Sequence, residues 1–452
     1  MPRKVLAVLC FASFMSPFMG SAFNLALPHI AETFSFSAVT LTWFSTAYII
    51  STAIFQIPFA RIGDMFGRKR VYLTGLLGLS LTIFVCPFAT NGVLLIALRS
   101  FSGIFSAMFF ASSMAILTSV TPKELRARAF ALNSASVYSA LSLGPVAGGF
   151  LTQYLGWESV FFLSAALVAI TFFMGRAVIR GEWAEARGAS FDYAGSFIFA
   201  LSIVALIYGF TELPRAAGLV CLPAGLAGLV FFVIFEKRAA SPILDLNLFF
   251  ANRVFSMSCM AALINYSANA ASSFMISLYL QYVKGFAAGA AGMVLLSQAL
   301  LQVASSLAAG RLSARFAPAR LATLGMVLSS LGLFGLSFVR ADTPLPHLLL
   351  CLAVLGTGFG LFSSPNTNVI MSSVERKNYG QASAITGTMR ITGQSFSMGI
   401  AAMSISLFMG EHALTPDLYP QFLASFGLTF KIFTVLCLAG IYASGARAGT
   451  GG

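Results

Sequence analysis

Apolar residues in this chain come in long unbroken runs, and charged residues are largely confined to the short gaps between them. A run of about 20 apolar residues is what a helix needs to cross the hydrocarbon core of a bilayer, where every backbone N–H and C=O must be satisfied within the protein. About fourteen such runs can be traced, at 5–28, 38–60, 71–90, 93–119, 129–154, 159–179, 194–211, 216–235, 254–282, 286–309, 320–339, 346–371, 380–409 and 424–446. The longest gaps, 180–193 and 236–253, are too short for a separate folded domain. The pattern predicts an all-α polytopic membrane protein whose function lies inside the bilayer.

Composition strengthens that reading. The chain is 58% hydrophobic and only 9% charged, with a mean hydropathy of +0.88, more apolar surface than a water-soluble fold can hide. A net charge of +13 would suggest nucleic acid in a soluble protein, but here its distribution decides. With the amino end inside, 21 of the 27 lysines and arginines fall on one side, including Arg61, Arg68, Lys69, Arg70, Arg311, Arg315 and Arg320. The positive-inside rule then places both termini in the cytoplasm, so the basicity reflects topology and no nucleic-acid partner is expected. The opening MPRKVLAVLC reads as a retained first span, because no small-residue cleavage site follows its apolar run. Cys10, Cys86, Cys221, Cys259, Cys351 and Cys437 all lie within apolar runs and form no close pairs, which suggests neither disulfides nor a metal site. No cluster of nucleophile and base and no phosphate-cradling loop is present, so the expectation is a non-enzyme without a cofactor.

A repeat emerges when the chain is laid over itself. At an offset of 250, ARIGDMFGRKRVYLTG (residues 60–75) overlies GRLSARFAPARLATLG (310–325), matching Arg61 to Arg311, Phe66 to Phe316, Arg70 to Arg320 and Gly75 to Gly325. At 253, Ala140, Gly144 and Gly148 overlie Gly393, Ser397 and Ala401. Two motifs at nearly one offset, each in the same topological place, argue for duplication. The expected organisation is an N-terminal six-helix bundle over 1–190, two linker transmembrane helices over 191–240 and a C-terminal six-helix bundle over 241–452. Two such bundles can move a solute by rocking about a site near the midplane.

ARIGDMFGRKR resembles the loop between the second and third spans of the major facilitator superfamily, with Ala60 at the usual first glycine and Met65 at a usual cation. GPVAGG, residues 144–149, resembles the fifth-span antiporter motif, and Arg99 with Gly103 the fourth-span pattern, with Ser102 in place of a glutamine. NLALP, TWFSTAY, EKRAASPILDLNLF and LYLQYVKG add similarity to the fourteen-span drug:proton antiporter family. The resemblance implies a multi-pass carrier of the prokaryotic plasma membrane that works as a monomer, exporting lipophilic or amphiphilic small molecules in exchange for protons. It assigns Asp64, Gly67 and Arg68 to a conformational switch, and Arg99, Gly103, Gly144, Pro145 and Gly148 to coupling or gating; the chain's own pattern adds Arg61, a cation of the same repeated loop, to the switch and Arg390, a cation within a span, to the coupling or gating set.

The position where a cation exporter of this kind carries a first-span carboxylate is Met19, and no acid falls near a midplane. Arg99 and Arg390 lie within spans instead, each at a cost on the order of 3 kcal/mol on insertion scales. They are read as ties between helices, as attraction points for an anionic group, or as electrostatic partners of a protonatable site. Ser21, Asn24, Asn265, Tyr266, Asn269, Asn366, Asn368 and Gln394 give a polar spotting to the spans expected to border a central cavity, and form the candidate solute-binding set; any single asparagine there can equally bridge helices. Two other readings stand beside proton-linked efflux: uptake or facilitated passage of an organic anion, and a non-transporting membrane sensor on the same fold.

Overall fold

The computed structural model of the chain describes residues 3–445 apart from 123–124, 185, 189, 214, 240–242, 244–248, 250–251, 269, 314, 376–378 and 411, and gives the backbone alone at 3, 126–128, 130–131, 134, 379–381 and 383–384. Its regular structure is helical: α1 (Arg3–Phe34), α2 (Ala38–Phe66), α3 (Arg68–Val85), α4 (Gly92–Val120), α5 (Arg126–Leu155), α6 (Glu158–Val178), α7 (Tyr193–Glu212), α8 (Ala216–Glu236), α9 (Arg253–Ser267), α10 (Ala270–Leu278), α11 (Ala288–Leu312), α12 (Pro318–Leu336), α13 (Leu345–Ser372), α14 (Tyr379–Met409) and α15 (Tyr419–Gly445).

Short polar residues mark where helices begin. The side chains of Ser37, Asn91, Asp192 and Asn252 accept hydrogen bonds from the first turns of α2, α4, α7 and α9, capping N–H groups that have no partner inside the helix. Among the described residues twelve helices are long and apolar enough to cross a membrane. The sequence pattern expects about fourteen spans, and the run at 254–282 is where the two part. It is broken into α9 and α10, of 15 and 9 residues, followed by a single π-type turn over Tyr279–Val283. Neither piece alone has the length to cross. α5, rich in Ser, Gly and Tyr, also lies outside the twelve.

The duplication seen in the sequence reappears as packing. A Cβ built on Gly75 of α3 would lie 2.7 Å from the backbone nitrogen of Phe109 on α4, and one on Gly325 of α12 would lie 2.5 Å from that of Phe362 on α13. Gly103 of α4 faces the carbonyl of Tyr48 on α2; Gly356 of α13 faces that of Gln298 on α11. Gly144 of α5 abuts Ser21 of α1, and its counterpart Ser397 of α14 accepts a hydrogen bond of 3.0 Å from the backbone N–H of Ala271 on α10. Small residues recur because backbones cross within touching distance there, which a larger side chain would prevent.

Helices α1–α6 thus form one set and α9–α15 a similarly wired second, with the α7–α8 hairpin beside them. α7 packs on α2 of the first set and on α14 of the second. α8 packs against α7, and its outer face exposes Leu219, Val220, Leu226, Val230, Phe231 and Ile234. Exposed apolar side chains of this kind also stud α3, α6, α11 and α12, as expected of surfaces solvated by lipid.

Candidate functional site: the seam between the two helix sets

The end of the molecule that carries Arg61 and Arg68–Arg70 is called here the basic end. Among the described residues, its loop is braced by side chains and backbone of its own set. Arg68 Nε meets Asp64 Oδ1 at 2.7 Å, one turn apart along the chain, and Arg68 Nη1 donates to Ser119 Oγ of α4 at 3.0 Å. The segment after α6 braces the same loop. Ala186 N–H donates to the Asp64 carbonyl, Arg68 N–H to the Trp183 carbonyl (both 2.9 Å), and Lys69 N–H to Glu182 Oε1 at 2.8 Å. Gly67 joins α2 to α3 at φ 121°, and a Cβ there would collide with the Glu182 carboxyl. Glycine meets both demands at once. Arg61 is half-buried, with Nε buried and without a hydrogen-bond partner.

At the opposite, far end the two sets are laced together. Ala38 N–H donates to the His412 carbonyl at 3.0 Å, Ser277 Oγ to the Asn24 carbonyl at 2.7 Å, and Gly289 N–H to Gln153 Oε1 at 3.1 Å. Gly149 sits against the backbone of Ala288 and Gly289, and Gly292 against the Pro145 carbonyl. The small-residue stripe of α5 therefore serves two surfaces. Gly144 and Gly148 seat Ser21 and Ala22 of α1, while Pro145 and Gly149 meet α11 across the seam. Midway along, Tyr138 Oη donates to Ser363 Oγ at 3.0 Å, again from one set to the other.

Arg99 and Arg390, alike in sequence, have different surroundings. Arg99 is buried inside the first set, its guanidinium carbon 4.8, 4.8 and 4.6 Å from the ring centroids of Phe23, Phe44 and Tyr48. Its Nε has no hydrogen-bond partner, and among the described residues no carboxylate pairs with it. Three aromatic faces supply the negative potential that a counter-ion would otherwise provide. Gly103, one turn on, lets α2 approach and presents its carbonyl to Thr52 Oγ1 at 3.2 Å. Arg390, half-buried on α14, instead reaches across the seam to Phe110 of α4, 5.8 Å from its centroid.

The polar candidates divide as well. Asn366 is buried, and its Nδ2 donates to the Ser258 carbonyl at 3.1 Å, tying α13 to α9. Ser21 Oγ donates back to Pro17 O at 2.7 Å, and Asn24 contributes its carbonyl to the far-end lacing. Asn265 is buried with Nδ2 lacking a partner. Tyr266 and Gln394 are half-buried and Asn368 is exposed. Asn269 lies outside the described residues. Beside Ser21, Gly20 is exposed although it sits midway along α1, and a Cβ there would meet nothing within 4 Å. The sequence reading missed the three-ring box around Arg99, the Glu182 brace and the Tyr138–Ser363 link. Each joins residues far apart along the chain, and only the aromatic spacing Phe44–Tyr48, one helical turn, carried a local signal.

A helical bundle with two similarly wired sets, lipid-facing apolar surfaces and a polar-spotted seam defines a polytopic membrane carrier. The sequence pattern of the Major Facilitator Superfamily matches residues 9–398, and the chain belongs to that superfamily of transporters. It is 28% identical over 403 residues to the riboflavin transporter RibZ of Clostridioides difficile (strain 630), covering 88% of this chain and 87% of that protein. It is also 28% identical over 411 residues to the methylenomycin A resistance protein of Bacillus subtilis (strain 168), covering 89% and 88%. The multidrug efflux pump LfrA of Mycolicibacterium smegmatis is 26% identical over 388 residues, covering 85% and 77%. The fold is shared with a bacterial homologue of the human lysosomal transporter Spinster in an inward-facing and occupied conformation, at a TM-score of 0.67 and 15% identity, covering 98% of this chain and 96% of that one. It is shared too with the human organic anion transporter MFSD10, at 0.66 and 16%, covering 98% and 99%.

Proposed function

We propose that this transporter exports lipophilic or amphiphilic small molecules by alternating access, driven by protons. The observation that carries the alternating-access part is the asymmetry of the seam. Among the described residues the hydrogen bonds between the sets run from Tyr138–Ser363 to Ala38–His412 at the far end, whereas at the basic end Asp64, Arg68 and Lys69 bond to Ser119, Glu182, Trp183 and Ala186 of their own set. An arrangement laced at one end, with the loop of one set braced within that set at the other, is what one state of a rocking pair would look like. The moving units in this reading are the bundles 1–190 and 241–452, with 191–240 as linker helices. Counting α5 and the broken α9–α10 as crossing elements gives fourteen spans with both termini cytoplasmic, in a plasma-membrane monomer.

Asp64, Gly67, Arg68 and Arg61 act as the switch, and Arg99, Gly103, Gly144, Pro145, Gly148 and Arg390 as coupling or gating groups. Solute meets Ser21, Asn24, Tyr266, Asn368 and Gln394 along the seam. The resistance and efflux functions named for two relatives support the export direction. The test is purified protein in proteoliposomes under an imposed pH step, with lipophilic cationic, neutral and anionic dyes as solutes. Proton-driven movement of cationic or neutral dyes is the expected result, and absence of any gradient-driven flux refutes it.

A second reading, passage of an organic anion, is favoured by Arg390, a guanidinium at the seam that no carboxylate pairs with among the described residues. It predicts anionic-dye flux that Arg390→Ala abolishes.

A further inference from the structure

At the far end a depression of about 330 Å³ opens on the seam, within the size range of small-molecule sites. Its walls come from both helix sets. α1 supplies His29 and Glu32 and α5 supplies Gln153; the stretch between α10 and α11 supplies Gln281, Tyr282 and Phe286. Two of these are committed elsewhere, since Gln153 Oε1 accepts from Gly289 N–H and Gln281 Nε2 donates to Ser277 Oγ at 3.0 Å. Glu32 is the only lining residue that carries a formal charge at neutral pH with histidine neutral, and among the described residues no cation pairs with it. The neighbouring Lys284 does not neutralise it. Its Nζ is turned onto the carbonyls of Ala341 and Thr343, at 2.8 and 2.7 Å. His29 Nδ1 is buried without a hydrogen-bond partner, so the fold does not fix this ring through that nitrogen.

We propose that this depression binds a small organic ammonium ion, with Glu32 as counter-charge and the faces of Tyr282 and Phe286 as its apolar and cation–π walls. A carboxylate beside aromatic rings is the chemistry that holds alkylated ammonium groups, which are weakly hydrated and attracted by ring faces. A divalent metal fits less well, because no trio of His, Cys, Asp or Glu among the described residues is placed to hold one. Since the walls come from both sets, the whole site exists only while the far end is closed. A bound cation therefore staples that end, and the shift it causes equals its preference for the closed state. The stapling half of the proposal rests on the alternating-access reading; the binding half does not.

The experiment uses the full chain in lipid nanodiscs, titrated with benzyltrimethylammonium by calorimetry, with spin labels at Thr33 and Ala413 reporting the far-end distance. Saturable binding is expected, weakened up to about fivefold in Glu32→Gln at an unchanged melting midpoint, since Glu32 is exposed, and weakened also in Tyr282→Leu. Glu32→Asp should retain part of the affinity, and ligand should narrow the label distances toward the shortest population. Equal affinity in wild type and Glu32→Gln would move the binding elsewhere, to the interior of the seam for instance, and overturn the assignment. So would an absence of saturable binding, or equally tight binding of calcium alone. A widening of the label distances on binding would overturn the staple. No gradient or flux enters these measurements, so a failure of the transport reading shows separately, as absent dye movement in proteoliposomes.

Discussion

Gly149→Ala is the sharpest perturbation of the far-end closure. The added methyl would lie 3.0 Å from the carbonyl carbon of Ala288 and 3.0 Å from Gly289 Cα, and nearer still to the Ala288 carbonyl oxygen. Carbon atoms sit comfortably at about 3.5–4.0 Å, so α5 and the start of α11 must part by on the order of 1 Å. The obstacle is backbone on the other helix set, which no rotamer change can move aside. Overpacking of this kind costs about 1–3 kcal/mol. Here the protein has an escape, because separating the two sets at the far end relieves the clash without unfolding either one. A cost of that size, charged only to the closed state, shifts the closed-to-open ratio about 5–150-fold. Spin labels at Thr33 and Ala413, measured as distance distributions in nanodiscs, should show a long-distance population absent or minor in the wild type. Two controls frame the result. Gly75→Ala places its methyl 2.7 Å from the Phe109 nitrogen inside a single set, so it should lower the melting midpoint and leave the distances alone. Gly310, with nothing within 4 Å of a built Cβ, should accept alanine with no loss of stability. If Gly149→Ala leaves the label distances unchanged while lowering the melting midpoint as Gly75→Ala does, the seam is not a moving joint and the reasoning fails.

Other outcomes follow from the same geometry. Arg99→Met should hold or raise the melting midpoint, because an apolar chain of similar length fills the three-ring box without a buried charge; Arg99→Ala leaves a cavity among the rings and should cost about 2–4 kcal/mol in chemical denaturation. Should Arg99→Met retain stability and lose only proton-driven flux, Arg99 is a coupling group and not merely a tie between helices. Asn366→Ala, which removes the bond to the Ser258 carbonyl, should cost about 1 kcal/mol, measurable as a lowered midpoint. Asp64→Asn should preserve protein level in the membrane while slowing dye flux severely; flux at the wild-type rate would remove the switch role. Gly67→Ala must displace Glu182 and adopt an unfavourable backbone, so it should cripple flux more than it lowers abundance, checked by flux per molecule of reconstituted protein.

What the sequence determined by itself is what lipid and covalent geometry dictate. Apolar runs of bilayer length must become helices, because no other segment can bury its backbone polar groups there. The offsets of 250 and 253 keep small residues in matching places, and Gly75–Phe109 and Gly325–Phe362 are one such place, where the same close helix contact is made twice.

Tertiary structure decided the rest, since the partners of a polar side chain in a membrane bundle lie on other helices and leave no trace in local pattern. Arg99 and Arg390 looked equivalent along the chain; the fold encloses one in aromatic rings within a set and sets the other across the seam. Asn366 and Asn368, two residues apart and so pointing differently on one helix, became a helix tie and an exposed amide. The Asp64 loop was legible as a switch candidate, yet its brace, Glu182, lies more than a hundred residues away and was brought there only by the path of α6. Long apolar helices can pack in many registers at similar energy, and the close backbone contacts, acting through steric exclusion at short range, select one of them.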